Sequence, residues 1–197
     1  MCNSLRNKIL SRIKGHGGGW VFSSHDFIHE FQRYEIDQTL SSLSKKGVIR
    51  RIMRGIYEDP RYSEILKRQV APDMSQVASA LARKFRWTLQ PEGNTALNAL
   101  GLSTQIPAKY CYFSSGPNRH YMIDGQTLEF RKKSSRETAM RHPESMLVVN
   151  ALKALGENYV TPDLIAKLKA RYNTANGIRS NLTPRRSQGG SMRSSGI

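Results

Sequence analysis

At 197 residues and 38% hydrophobic content, the chain can bury a proper core, as one large domain or two small ones, and is too apolar for a wholly disordered protein. Lysine and arginine number 31 against 15 aspartate and glutamate, a formal charge of +16, which favours a polyanionic partner such as nucleic acid. Cys2 and Cys111 are too few and too far apart for a disulfide framework or a zinc site, and neither a signal-peptide core nor a membrane-length apolar run occurs, so a reduced, cytoplasmic protein is expected.

From Asn3 to Lys14, Leu5, Ile9, Leu10 and Ile13 mark one face of a helix, which the glycines of "GHGGG" then stop. Trp20, Val21 and Phe22 form a short apolar run that suits a strand. Ser24 is placed to cap a second helix, "HDFIHEF", with Phe27, Ile28 and Phe31 inward. A break at Gln32 and Arg33 leads into "YEIDQTLSSLSKKG", where Ile36, Leu40 and Leu43 recur at helical spacing and Gly47 closes the helix. "VIRRIMRGIYEDP" reads as a hairpin turning at Arg54-Gly55 and ended by Pro60. Helix, strand, helix, turn, helix, hairpin is the order of a winged helix-turn-helix.

"RYSEILKRQVAPD" reads as a helical connector ending near Pro72. A helix follows over "SQVASALARKFR", with Val77, Ala78, Leu81, Ala82 and Phe85 on one side, and another over "NTALNALGL". "KYCYFSS" and the pair "RHYMI" and "QTLEFRK" are expected strands, the pair joined by Asp124-Gly125, whose turn requires positive φ. "PESMLVVNALKALG" and "TPDLIAKLKARY" are expected helices, the second with Thr161 as N-cap and Pro162 at its first position. The expected class is α+β: a winged helix-turn-helix over 1–70, a mixed α/β domain over 71–172, and a disordered basic tail over 173–197.

In a winged domain the third helix buries one face and offers the other to a major groove. Ile36, Leu40 and Leu43 supply the buried side, leaving Glu35, Gln38, Thr39, Ser42, Lys45 and Lys46 on or near the other. The hairpin carries Arg50, Arg51 and Arg54, with Ile49, Ile52 and Ile56 to anchor it. The competing reading is a set of solubilising charges, but the run sits where a wing belongs. RNA is less well supported, since no aromatic-bearing sheet pattern is visible.

Gly55-Ile56-Tyr57 matches half of the GIY-YIG nuclease signature, but no "YIG" follows, and Tyr57 is better placed as a core aromatic of the hairpin's second strand. His25 and His29 have the i, i+4 spacing of a zinc pair without the "HEXXH" order or a third ligand. No phosphate loop, nucleophile elbow or dinucleotide fingerprint occurs. Neither catalysis, nor a metal, nor a cofactor is expected.

At "GWVFSSHDF", "LSSLSKKGVIRRIMRGIY" and "LQPEGNTALNALGLSTQIPAKYCYFSSGPNRHYMI" the chain resembles the AbiEi family of bacterial antitoxins. It resembles more closely some related uncharacterised, DUF6088-like proteins described as type IV toxin–antitoxin antitoxin-like. The resemblance covers roughly residues 3 to 165, and its most specific piece is Pro91 to Gly116. It implies a winged helix-turn-helix that binds and represses its own promoter. It also implies a C-terminal domain that opposes a nucleotidyltransferase-like toxin without a stable complex. The DNA-contact role then falls on Gln38, Thr39, Ser42, Lys45, Lys46, Arg50, Arg51 and Arg54. Candidates in the second domain are Gln105, Lys109, Arg119, Arg131, Lys132 and Lys133, with ordinary loop polars as the competing reading for Gln105 and Lys109. The chain departs from the family by ending soon after "TPDLIAKLKARY", which puts the neutralising activity in question more than DNA binding.

Two further hypotheses stand beside this one. In the first, the second domain binds a toxin or other protein directly and DNA binding is secondary. In the second, the chain is a fragment of a nuclease system, for which Glu129, Glu137 and Glu144 are the available acidic ligands.

Overall fold

The computed structural model describes residues 2–134 and 143–175. The described chain is mixed α/β and falls into two compact units, one up to Leu155 and one from Gly156. Among the described residues no helix is long and apolar enough to cross a membrane.

The first unit opens with helix α1, Cys2–Gly15, and strand β1, Val21–Phe22. The glycines between them turn the chain through positive φ at Gly17 and Gly19, and the Arg61 side chain lies across Gly18 and Gly19, where a Cβ on Gly19 would meet its Nε at 2.7 Å. The helix expected over "HDFIHEF" is reduced to a 3-10 turn at Ser24–Asp26. Its cap is Ser23, one residue earlier than expected: the Ser23 hydroxyl accepts from His25 N–H, and Asp26 accepts from Ser23 N–H at 2.8 Å. The backbone bonds that follow, Asp26 to Ser23, Phe27 to Ser24 and Glu30 to Phe27, are of the three-residue kind, and the α ladder does not propagate. His, Asp, Phe and Ile in succession supply little helix propensity against that local closure. Ser23→Ala removes the cap and is expected to lower stability by about 1 kcal/mol, read as a shift in the urea midpoint with an unchanged slope.

Helix α2, Arg33–Lys45, begins within the anticipated break and buries Ile36, Leu40 and Leu43. Gly47, at φ +70, receives the chain in the left-handed conformation that ends it. Strands β2, Arg50–Met53, and β3, Ile56–Glu58, form the expected hairpin with Gly55 at φ +73. They join β1 in a three-stranded antiparallel sheet of order β1-β3-β2.

The helical connector does not form. Residues 62–69 instead make a small hairpin, β4 (Tyr62–Ser63) against β5 (Arg68–Gln69). Pro60 and Pro72 confine it, and Ser63 Oγ takes the Leu66 N–H at 3.2 Å, the kind of local bond that competes with a helix. Its adjacent apolar residues stay at the surface, Ile65 being 94% and Leu66 58% exposed.

Helix α3, Met74–Phe85, is capped by Asp73, whose carboxylate accepts from Ser75 N–H at 2.8 Å, and ends on Arg86 in the left-handed region. Phe85 is not a core residue: it is 41% exposed and stacks on Trp87. Strand β6, Leu89–Glu92, was not anticipated; Pro91 fits it because β6 is an edge strand. Helix α4, Asn94–Ala99, leads to β7 (Lys109–Ser114), β8 (Arg119–Ile123) and β9 (Gln126–Lys132). The sheet order is β6-β7-β9-β8, with β7 and β9 parallel and the β8–β9 turn at Asp124-Gly125 as expected. Helix α5, Pro143–Leu155, packs on α4 and β6, and Asn150 Nδ2 donates to Pro91 O at 3.0 Å.

Two apolar clusters fill this unit. Ile9 and Ile13 of α1, Phe22, Phe27, Tyr57 and the buried face of α2 form one. Val21 and Ile56, on the other face of the three-stranded sheet, join α3 and the Tyr112, Leu128 and Phe130 side of the larger sheet in the second. The boundary expected at residue 70 therefore separates stretches that share a core.

In the second unit a 3-10 turn at Glu157–Tyr159 precedes helix α6, Pro162–Ala175, whose Leu164 N–H bonds Thr161 Oγ1 at 3.3 Å. The helix includes Asn173 to Ala175, the first residues of the expected tail, and residues 176–197 lie outside the described residues.

Candidate nucleic-acid interface

Burying Ile36, Leu40 and Leu43 turns a polar face of α2 outward, lined by Tyr34, Asp37, Gln38, Ser41, Ser42 and Lys45. Gln38 and Ser42 lie on this face as expected, and Lys45 and Lys46 are exposed at its C-terminal end. Thr39 is half-buried on the flank. Gln38 is not loose: its Nε2 donates to the Tyr34 hydroxyl at 2.5 Å, one turn earlier. Arg33 pairs with Asp37 at 3.6 Å.

The hairpin arginines separate. Arg51 and Arg54 are exposed, while Ile52 and Met53 pack on the core below. Arg50 faces Glu58 across the β2–β3 ladder, and its Nε and Nη2 donate to Glu58 Oε2 at 2.9 and 2.5 Å. Nη2 also donates to Val70 O at 2.7 Å. Glu58 is 1% exposed, and burial holds its carboxyl above the usual range although the Arg50 hydrogen bond and charge pull it down. Arg50 is thus committed to an internal ion pair, unlike its neighbours in the run.

Lys84, near the end of α3, comes to the turn from a distant segment. Its Nζ lies 3.4 Å from Arg54 O, and a Cβ added at Gly55 would stand 2.9 Å from it. Its ammonium is held below the ordinary range by burial, then by the Arg33 charge, with Asp37 opposing and Arg54 adding. Lys84 thus stands against the hairpin turn from a segment outside the first 60 residues. Tyr34 and Ser41 share the polar face by helical spacing with Gln38 and Ser42, whereas Lys84 carries no local signal.

On the larger sheet, the face opposite the core carries Glu92, Lys109, Cys111, His120, Glu129 and Arg131. Lys109 pairs with Glu129, and Arg131 bonds Glu129 at 3.1 Å and Glu92 at 3.0 Å. The Lys109 and Arg131 bonds hold the Glu129 carboxyl below its usual range, while burial and the Glu129 charge push the Cys111 thiol up. Arg119 is exposed in a shallow hollow of about 400 Å³ with Asn118, His120, Glu129, Phe130 and Arg131. Lys132 is exposed, and Lys133 Nζ sits 4.4 Å above the Phe113 ring. Gln105 lies on the loop before β7, held through its backbone by Asn98 and Ser103, and does not join the group around Glu129. Lys109 and Arg131 meet on Glu129; Arg119, opposite Phe130 in the ladder, shares only the hollow with Arg131, and Gln105 and Lys133 do not join the group.

Among the described residues no group of three or more His, Cys, Asp or Glu could hold a metal ion. His25 and His29 lose their common face because no helix spans them. Glu129 is engaged by Lys109 and Arg131, and Glu137 lies outside the described residues. No curated protein matches the chain. The sequence model of a family described as of unknown function, DUF6088, matches residues 8–176. A match over most of the sequence makes this chain a member of that family.

Proposed function

We propose that the first 60 or so residues are a winged helix-turn-helix that binds duplex DNA, with α2 in the major groove and the β2–β3 turn as the wing. The supporting observation is the exposed polar face of α2 beside a turn whose two exposed arginines, Arg51 and Arg54, have apolar neighbours anchored beneath them. The element order and the sheet order β1-β3-β2 agree with this reading, with the middle helix contracted to a 3-10 turn. Arg50 leaves the contact set, and Tyr34 and Ser41 enter it.

The resemblance of the three quoted segments to AbiEi-like antitoxins extends the proposal. The protein would repress its own promoter in the cytoplasm and oppose a nucleotidyltransferase-like toxin, without an enzymatic step of its own. The Lys109, Arg119, Arg131 and Glu129 group is the part of the second sheet we assign to that activity. An alternative role for the same face is direct protein binding, favoured by its mixed charges, which suit a protein surface better than a phosphate backbone.

Gel-shift titration against the upstream region of the native gene tests the DNA reading. Gln38→Ala is expected to lose about 1–3 kcal/mol of discrimination between that region and mixed-sequence DNA while keeping its non-specific affinity. A wild-type protein without duplex affinity would remove the assignment.

A further inference from the structure

We infer that Lys84, set against the hairpin turn beside the exposed Arg54, holds a DNA backbone phosphate at a site assembled from α3 and that turn. The inference rests on the DNA-binding reading above and adds to it a segment outside the first 60 residues.

The Lys84 ammonium reaches the Arg54-Gly55 turn from a distant segment, its Nζ 3.4 Å from Arg54 O, while Arg33 of α2 is paired with Asp37. Burial, ahead of the neighbouring positive charges, holds this ammonium below its ordinary range, and an anion beside it would offset that. An ammonium has three donors, and the 3.4 Å contact to Arg54 O is long, so at least two remain for a ligand. A backbone phosphate is an acceptor that those donors could take. Gly55 belongs to the arrangement as well: any side chain at this φ +73 position would displace Nζ from the turn.

The assignment gives Lys84 a consequence that a surface lysine lacks. Helix α3 packs in the core it shares with the larger sheet, so a phosphate held by Lys84 ties DNA directly to that core. The contact is independent of sequence, so a mixed-sequence duplex of about 20 base pairs is a sufficient probe. Fluorescence anisotropy over a salt series should show Lys84→Gln binding on the order of three- to tenfold more weakly, with the log–log salt slope reduced by about 0.9. Lys84→Arg should keep the slope, and Lys153→Gln, an exposed change on α5, should match wild type. A Lys84→Gln slope equal to wild type, alongside a reduced slope for Arg51→Glu, would overturn the Lys84 assignment and leave DNA binding standing. Absence of wild-type binding would overturn the reading beneath it. A second measurement needs no variant: acetylation of Lys84 in the wild-type protein should slow when duplex is bound. Acetylation at an unchanged rate on saturated complex would also reject the site.

Discussion

Arg50→Met is expected to lower the stability of the fold by about 3 kcal/mol while leaving the salt slope of duplex binding unchanged. Glu58 is almost wholly enclosed, and Arg50 supplies two hydrogen bonds to one of its oxygens, plus a third to Val70 O that ties down the chain after the small hairpin. Removing the cation leaves a buried carboxylate without its partner, the costly half of any internal ion pair. The sign of the pH dependence follows from the carboxyl's direction. The Glu58 pKa is raised in the folded protein, and without Arg50 it rises further, so the native state binds the proton more tightly than the unfolded chain. The variant's deficit should therefore be small at pH 5 and grow towards pH 7, as urea melts at both would show. Arg50→Met with Glu58→Leu should recover most of the loss, because both desolvated charges are gone. A slope that fell by about one unit in the single variant would instead return Arg50 to the DNA contacts.

Charge reversal at both Arg51 and Arg54 should behave in the opposite way. Both side chains are exposed, so folding stability should stay within about 0.5 kcal/mol of wild type. Duplex affinity at low salt should fall on the order of 100-fold, with the salt slope reduced by roughly 2, one counterion released per lost phosphate contact. The effect should be nearly equal on the native upstream region and on mixed-sequence DNA, since phosphate contacts position without specifying. Unchanged slopes in both backgrounds would leave the β2–β3 turn as a solvated hairpin and remove it from the interface.

Local pattern read well where one residue type decides the backbone. Gly55 and Asp124-Gly125 placed two of the three hairpin turns among the described residues, Gly47 placed the end of α2, and Ile36, Leu40 and Leu43 gave its buried face. It read poorly where short polar side chains captured the backbone, as Ser23 does before the 3-10 turn and Ser63 inside the hairpin taken for a helix. The candidate site was half legible. Arg50 and Glu58 stand opposite each other once the turn at 54–55 and the bulge after Arg51 are known, so their pairing was available from strand register but not from charge. Lys84 shows the other limit, since nothing in its own neighbourhood says that it reaches Gly55.

The three-stranded sheet is apolar on both sides, with Phe22 and Tyr57 on one and Val21 and Ile56 on the other. A fragment cut after residue 70 would carry that second side uncovered, with Ile52 and Met53 at its margin. Such a piece is a poor unit for dissection: its bare flank invites self-association, and that stickiness would mimic or mask a genuine loss of affinity.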